Sequence, residues 1–140
     1  MDSCIFCSIT SGSAAAQVVL DEPDVMAFLD TRPVFKGHVL VVPREHHRTL
    51  TDLPQSLLST LFAAVQRIAT AVPEALGSTG TFVAMNNIVS QSVPHIHVHV
   101  VPRTKGDGLR GFFWPRTKYG DDAEAISYAE RIAHSLSPSD

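Results

Sequence analysis

The stretch from Val93 to Arg103 constrains this chain most, because three histidines alternate there with aliphatic residues. His95, His97 and His99 occupy every second position. Successive side chains of a β-strand point to opposite faces, so the stretch predicts a strand with three imidazoles on one face and packing side chains on the other. Neighbouring imidazoles would stand roughly 6–7 Å apart at a rise of ~3.3 Å per residue. That spacing suits one phosphate-sized ligand, although a metal-binding tract has the same pattern.

The length and charge of the chain exclude several classes of protein. With 140 residues, 44% of them hydrophobic, we expect a single domain over residues 1–140 with one core. The formal net charge of −3 provides no basic field for nucleic acid, and no apolar run approaches the length of a membrane span. The first residues lack the basic and apolar regions of a signal peptide. A soluble, cytoplasmic protein without nucleic-acid or membrane partners is the expectation.

The two cysteines form a Cys-x-x-Cys motif at Cys4 and Cys7. A redox motif would need a strand before it, and only three residues precede Cys4, so metal ligation is favoured. Two thiolates at this spacing can close one edge of a zinc tetrahedron. With His46 and His95 they make two thiolates and two imidazoles, enough for a closed, structural zinc site that pins the N-terminus to two strands.

Hydrophobic periodicity predicts short strands around one long helix. The predicted strands cover residues 18–20, 25–29, 37–43 and 81–85 in addition to the histidine strand, which pairs with the fourth as an antiparallel hairpin. Apolar residues at spacings of three and four predict a helix that begins near Thr51 to Pro54 and that Pro73 ends. These residues are Leu57, Leu61, Val65, Ile68 and Val72. A second amphipathic helix is predicted at 121–136.

Two polar segments at strand ends are candidates for ligand contacts. Asp30 follows the second strand, where it is either a turn residue or a carboxylate that holds the two hydroxyls of a ribose. The polar loop 86–92 directly precedes the histidine strand, and loops on a rigid scaffold often bind ligands.

A cationic segment with aromatic residues follows the histidine strand, from Arg103 to Lys118. It carries five cations against Asp107 alone, around Phe112-Phe113-Trp114. Such a loop could grip the phosphates of a nucleotide, or it could pack on the body or on a second subunit with its charges in solvent.

The histidine run has the pattern His-φ-His-φ-His-φ-φ, where φ is an apolar residue, and it resembles the signature of the histidine triad (HIT) family. The resemblance covers most of residues 4–103 and includes, in the family's order, Cys4-Ile-Phe-Cys7, Phe28-Leu-Asp30, Gly37 to His46 and Gln91-Ser92-Val93. It implies an α+β, HIT-like fold with a five-stranded antiparallel sheet, a long helix and a C-terminal helix, in a homodimer. Residues 4–103 would form the core, and residues 104–140 the C-terminal loop and helix.

The same resemblance implies hydrolysis or transfer at the α-phosphate of a purine nucleotide. His97 would be the nucleophile and form a covalent nucleotidyl intermediate, with its tautomer fixed by the main-chain carbonyl of His95. His99 would contact the phosphate, and Ser92 would assist the leaving group. The other nucleotide-binding residues would be Asp30 at the ribose, Gln91 and one of Asn86 or Asn87 at the phosphate, and Ile5, Phe6, Ile9, Phe28 and Leu29 around the base. Family members with the cysteine pair resemble zinc proteins, and zinc would be structural.

The chain departs from the family pattern in two loops. Loop 86–91 is shorter than usual and has Ser90 where a glycine commonly precedes the glutamine, and the cationic loop differs from the better-known branches. A phosphoramidase needs only a small leaving-group pocket, whereas a dinucleoside polyphosphate hydrolase needs contacts for a second nucleotide, which Phe112 and Trp114 could supply. A nucleotide-binding regulatory protein with little turnover is an alternative. A metallohydrolase is another, although His95 is already used with the cysteines.

Overall fold

The structure is a computed structural model that describes residues 3–109 and 116–136. The chain forms two compact units, Met1–Asp107 and Gly108–Asp140. The first unit contains, in order, α1 (Ile5–Thr10), β1 (Val18–Asp21), β2 (Val25–Leu29), β3 (Val39–Pro43), a 3₁₀ turn (Leu50–Asp52), α2 (Gln55–Leu76), β4 (Gly80–Ala84) and β5 (Val98–Arg103). The second unit contains α3 (Asp122–Leu136).

The five strands form one antiparallel sheet in the order β1-β2-β3-β5-β4. The predicted hairpin β4-β5 is present, β1 and β2 form a second hairpin, and β3 joins the two. The α+β fold expected from the sequence is thereby confirmed. Leu40 of β3 lies opposite His99 of β5, so the histidine motif occupies the middle of the sheet.

Apolar side chains cover both faces of the central strands, which explains their almost continuous aliphatic sequences. Val25 and Ala27 of β2 belong to the core that packs against α2, whereas Met26 and Phe28 belong to a second core that includes Phe6 of α1. The alternation within a single strand therefore separates a helix side of the sheet from a side that faces α1.

Helix α2 ends three residues later than the sequence analysis expects. Pro73 lies inside its last turn, and the helix ends where Gly77 adopts φ of 76° and donates its N–H to the carbonyl of Pro73 over 2.9 Å. A proline so near the end costs little, while the glycine accepts a left-handed conformation without strain. At the other end, Asp52 accepts from the N–H of Thr49 over 3.2 Å in the 3₁₀ turn, and the helix begins only at Gln55.

By length and composition alone, α2 is apolar enough to cross a membrane, which the sequence analysis does not expect. Its stripe of Leu61, Val65 and Ile68 is buried in the core against the sheet. Packing of this kind is that of the central helix of a globular domain, so the composition of α2 is weak evidence for a membrane.

The histidine strand begins at Val98 rather than at Val93. Pro94 has no N–H for a strand ladder, the N–H of His95 bonds to the nearby carbonyl of Val93, and the N–H of Ile96 bonds to the carbonyl of His47. The alternation nevertheless continues through the irregular part. The aliphatic residues Ile96, Val98 and Val100 are buried in the core on the helix side.

The second half of the cationic segment is only partly described. Arg103 binds Asp107 through Nε to Oδ2 at 2.6 Å, so one of the five cations is paired with the one acid of the segment. The aromatic residues Phe112-Phe113-Trp114 lie outside the described residues. Helix α3 confirms the predicted C-terminal helix, and Tyr119 and Tyr128 pack their rings 5.6 Å apart in its unit.

Candidate active site and metal cluster

A cavity of about 410 Å³ opens on the side of the sheet that faces α1. Its walls are apolar where α1 and β2 meet and polar where the histidine motif passes. The lining residues are Ile5, Phe6, Ile9, Ala15, Ala16, Phe28, Leu29, Asp30, Thr31, Arg32, Leu40, Ser92, Val93, His97 and His99. A volume of this size is in the range of small-molecule sites.

Most of the residues predicted to bind a nucleotide meet in this cavity. They are Ile5, Phe6, Ile9, Phe28, Leu29, Asp30, Ser92, His97 and His99. Among the described residues, the cavity wall also includes six that the sequence analysis does not predict to bind a nucleotide: Ala15, Ala16, Thr31, Arg32, Leu40 and Val93. Leu40 could have been found from strand pairing, since it lies opposite His99.

The three remaining predicted residues brace loop 86–91 instead of lining the cavity. Asn86 donates to the carbonyl of Ser90 over 3.1 Å, and the Oδ1 of Asn87 accepts from the N–H of Leu50 over 2.7 Å. Gln91 donates to the carbonyl of Arg48 over 2.6 Å. A role of these amides in phosphate binding stays a prediction.

His97 is buried with one ring nitrogen already bonded. Its Nδ1–H donates to the main-chain carbonyl of His95 over 2.7 Å. Phe6 packs edge-on against the ring at 5.0 Å between centroids. In the neutral imidazole the proton therefore sits on Nδ1, and Nε2 keeps the lone pair that a nucleophile needs.

A chain of hydrogen bonds fixes the proton of His99 in a similar way. The N–H of Val34 donates to His38 Nδ1 over 3.1 Å, so the proton of neutral His38 sits on Nε2. His38 Nε2 lies 2.9 Å from His99 Nδ1 and donates to it. The proton of neutral His99 is then on Nε2, as a donor for a ligand in the cavity.

His38 is a buried residue beside the candidate site that the sequence analysis overlooks. It is 3% exposed, and its Nε2 also lies 3.7 Å from Asp30 Oδ2. A polar residue at the start of an otherwise aliphatic, buried strand was the available signal, because a buried polar group usually has a specific partner.

Burial keeps the histidines of this chain of bonds neutral near pH 7. It lowers the pKa of His99 to about 4, with further lowering by the nearby His97 and His38 and opposition from the Asp30 carboxylate. Burial also lowers the pKa of His38, again against Asp30. The neutral forms of His38 and His99, on which their proton positions depend, are therefore the ones present near pH 7.

The four predicted metal ligands converge beside the cavity into a group that we call the Cys/His cluster: Cys4, Cys7, His46 and His95. His95 Nδ1 lies 3.5 Å from Cys4 Sγ, 3.6 Å from Cys7 Sγ and 3.2 Å from His46 Nδ1. Cys7 Sγ lies 3.2 Å from His46 Nδ1. The N-terminus, the segment after β3 and the histidine motif thus meet at one point.

These separations fit a tetrahedral zinc ion. Bonds of ~2.3 Å to sulfur and ~2.0–2.1 Å to nitrogen place the ligand atoms of a zinc tetrahedron roughly 3.3–3.8 Å apart. His95 donates its other ring N–H to the carbonyl of Pro43 over 2.9 Å, which leaves Nδ1 as a lone pair toward the cluster. Burial lowers the pKa of His95 to about 4 and also lowers that of His46, while burial and the neighbouring Cys4 raise that of Cys7. Zinc binding would therefore displace the Cys7 proton.

A second group, Asp30, His38 and His99, also has ligand atoms within 4.8 Å of one another. Here the 2.9 Å between the two histidine nitrogens is a hydrogen-bond distance, and Val34 already occupies the other nitrogen of His38. The geometry therefore favours a shared proton in this group and disfavours a catalytic metal on the histidine row.

Comparison with known proteins shows similarity to one protein family. The HIT domain profile matches residues 11–106. The chain is 35% identical to "Protein hit" of Bacillus subtilis, over 96% of this chain and 97% of that protein. It is 32% identical to the adenosine 5′-monophosphoramidase hnt1 of Schizosaccharomyces pombe, over 81% of this chain and 84% of that one. It is 31% identical to the adenylylsulfatase HINT3 of Arabidopsis thaliana, over 77% of this chain and 56% of the relative.

Solved structures agree. A crystal structure from Streptococcus mutans superimposes with a TM-score of 0.87 at 34% identity and covers 97% of this chain and 87% of that one. A zinc-bound histidine triad protein from Mycobacterium smegmatis superimposes with a TM-score of 0.74 at 35% identity and covers 96% and 98%. Profile, relatives and structures together show that the chain belongs to the HIT family.

Proposed function

We propose that the protein hydrolyses or transfers the nucleoside monophosphate part of a purine nucleotide, through a covalent intermediate on His97. The substrates would be nucleoside phosphoramidates or dinucleoside polyphosphates. The observation that carries the proposal is the 2.7 Å bond from His97 Nδ1–H to the carbonyl of His95, because it leaves Nε2 unprotonated in a cavity wall. Relatives that are named as a phosphoramidase and an adenylylsulfatase support reaction at the α-phosphate.

Two displacements would complete the reaction. His97 Nε2 attacks the α-phosphorus, the bond from phosphorus to the leaving group breaks, and the leaving group departs with a proton from Ser92 or water. Water then attacks the phosphorus, the bond from phosphorus to His97 Nε2 breaks, and the proton of the attacking water goes to Ser92 or to solvent, which returns neutral His97 and releases the nucleoside monophosphate. Splitting one displacement into two easier ones is the usual gain from a nucleophilic side chain.

Charge on the phosphoryl oxygens would be stabilised by donors that are already oriented. His99 offers its Nε2–H because His38 donates to the other nitrogen, so the donor does not reorient during the reaction. Neutral donors are also compatible with a nucleophile that must itself stay neutral.

The other end of the cavity would hold the nucleoside. Phe6 and Phe28 pack edge-on at 5.4 Å in the apolar wall that would contact the base. Asp30 lies in the wall between this apolar part and the histidines, and its Oδ1 already accepts from the N–H of Arg32 over 2.9 Å. Its other oxygen, Oδ2, lies 3.7 Å from His38 Nε2 and would accept from the hydroxyls of a ribose.

We also propose that the Cys/His cluster holds zinc. Four protein ligands leave no open position, so the ion would supply structure and not a metal-bound nucleophile. The homodimer and the cytoplasmic location stay predictions. Light scattering on the purified protein measures the first.

Intact mass spectrometry after brief mixing with substrate tests the proposal. Adenosine phosphoramidate, adenylyl sulfate and a diadenosine polyphosphate would be mixed separately with the wild type and with His97→Ala. We expect a nucleotidyl adduct and released AMP in the wild type, both absent in the variant. AMP binding without adduct or turnover would contradict the proposal and identify a nucleotide-binding regulatory protein.

A further inference from the structure

The peptide group between His95 and Ile96 connects the Cys/His cluster to the nucleophile. Its carbonyl accepts from His97 Nδ1–H over 2.7 Å, and its N–H donates to the carbonyl of His47 over 2.8 Å. A peptide group is planar and rigid, so these two hydrogen bonds fix its orientation from two opposite edges. Rotation of this peptide group would move the carbonyl of His95 away from the His97 ring.

The main-chain carbonyls in these two hydrogen bonds belong to a cluster ligand and to the neighbour of a cluster ligand. His95 supplies the carbonyl itself, and its side chain is 0% exposed, fixed through Nε2 to Pro43 and through Nδ1 to the cluster. The carbonyl of His47 belongs to the residue directly after the ligand His46. The positions of His46 and His95, two of the four ligands, therefore determine the orientation of the peptide group.

The cluster does not hold itself together by hydrogen bonds alone. His95 Nδ1 is a lone pair with two sulfurs and a second imidazole nitrogen within 3.6 Å, and it can accept from only one of them at a time. Removal of a metal leaves several such arrangements open. We expect these arrangements to differ in the separation of His46 and His95.

We propose that a metal in the Cys/His cluster sets the orientation of the His97 ring through the peptide group between His95 and Ile96. The cluster is then a positioning element for the nucleophile in addition to joining the N-terminus to the sheet. The catalytic consequence rests on the proposed function, whereas the positional link does not.

The direct test is nuclear magnetic resonance of protein with ¹⁵N-labelled histidine. In the zinc-loaded wild type we expect a slowly exchanging Nδ1–H on His97. In protein treated with chelator, and in Cys7→Ser, we expect this proton to exchange faster and the ring to sample both tautomers. Val72→Ala is the matched control, because it removes a buried side chain of α2 without touching the cluster. An unchanged His97 proton in folded, metal-free protein would overturn the proposal.

A second measurement covers the case in which metal-free protein unfolds. Coupling between two sites is reciprocal, so deletion of the His97 ring must loosen the metal if the metal orients the ring. We expect His97→Ala to bind zinc at least about fivefold more weakly than the wild type, as measured by competition with a chromogenic chelator. His99→Ala is the control, since His99 bonds to His38 and not to the cluster. Equal zinc affinities of all three proteins would refute the link.

Kinetic measurements test whether the link between the Cys/His cluster and the His97 ring affects activity. Removal of zinc is expected to lower the rate of nucleotidyl transfer to His97 about tenfold or more, while the Kd for AMP changes less than about threefold, because positioning acts on the reacting geometry more than on binding. A change of the His97 resonance with no turnover in any form would refute the proposed function and leave the positional link standing.

Discussion

Two groups of side chains in this protein contain similar residues but differ in how the ring nitrogens of their histidines are hydrogen-bonded. The Cys/His cluster and the group of Asp30, His38 and His99 both bring metal-ligating atoms within 4.8 Å of one another. In the first, His95 gives its spare N–H to a carbonyl and turns a lone pair inward. In the second, a main-chain N–H occupies one nitrogen of His38, and the other nitrogen donates to His99. The partner of the second ring nitrogen thus determines whether a histidine pair is suited to hold a metal or to share a proton.

Zinc stoichiometry is the strongest test of this difference. We expect one zinc per wild-type chain and Cys4→Ser to weaken binding about 100-fold or more, because four ligands share an apparent binding free energy of ~10–16 kcal/mol. His38→Asn should leave the stoichiometry at one. Inductively coupled plasma mass spectrometry and competition with a chelator measure both quantities. Two zinc ions in the wild type and one in His38→Asn would erase the distinction between the groups.

Two substitutions at His38 separate its two hydrogen bonds. The side-chain amide of asparagine can replace Nδ1 as acceptor for Val34 but is too short to reach His99, whereas glutamine can replace Nε2 as donor. We expect His38→Asn to lower kcat about tenfold to hundredfold with a smaller change in KM, and His38→Gln to recover part of the loss. Steady-state kinetics on an adenosine phosphoramidate measure both parameters. Equal kcat in the two variants would mean that the donor to His99 is unimportant, and His47→Asn controls for the loss of a histidine near the site.

Acid should destabilise the protein through the group that shares a proton. The folded-state pKa of His99 is about 4, below its ordinary value near 6.5, so the unfolded chain takes up the proton first as the pH falls. Stability is therefore expected to be lost progressively between pH ~6.5 and ~4, and the Tm should fall by several degrees. His99→Asn should flatten this part of the curve. Differential scanning calorimetry from pH 7.5 to 4.5 compares the two proteins, and parallel curves would contradict the pKa assignment.

The sequence predicts the Cys/His cluster better than the group of Asp30, His38 and His99, because the residue types and spacings that indicate the cluster are visible in short stretches of sequence. Cysteine and histidine are recognisable as zinc ligands by residue type and spacing, and the alternation around His97 indicates which rings share a face. His38 has no such pattern. It stands at the start of an aliphatic strand, and its meaning depends on β3 lying beside β5, which only the folded sheet reveals.

Two element boundaries could not be predicted because tertiary contacts decide them. Pro94 and the bond from Ile96 N–H to His47 delay β5 to Val98, although the side-chain alternation starts at His95. Pro73 is a strong local signal for a helix end, yet α2 continues for one turn because Gly77 provides a better end. The pattern of apolar residues remains correct in both cases, since burial and not hydrogen bonding determines it.

Loop 86–91 leads the chain into both groups, and here the sequence departs from the family pattern. Ser90 adopts φ of 61° and Ile88 φ of 73°, in the left-handed region where glycine costs least. We expect Ser90→Gly to raise the free energy of unfolding by up to about 1 kcal/mol by removing this strain, offset in part by the entropy of a more flexible unfolded chain. Chemical denaturation measures the change, with Ser59→Gly in α2 as a control that should lose about 0.5 kcal/mol.

The nucleotide and zinc sites should keep their affinities in Ser90→Gly, because the bonds of Asn87 and Gln91 to the main chain of Leu50 and Arg48 hold the loop. A large loss of either affinity would show that the strained loop, and not only its anchors, positions the histidine motif.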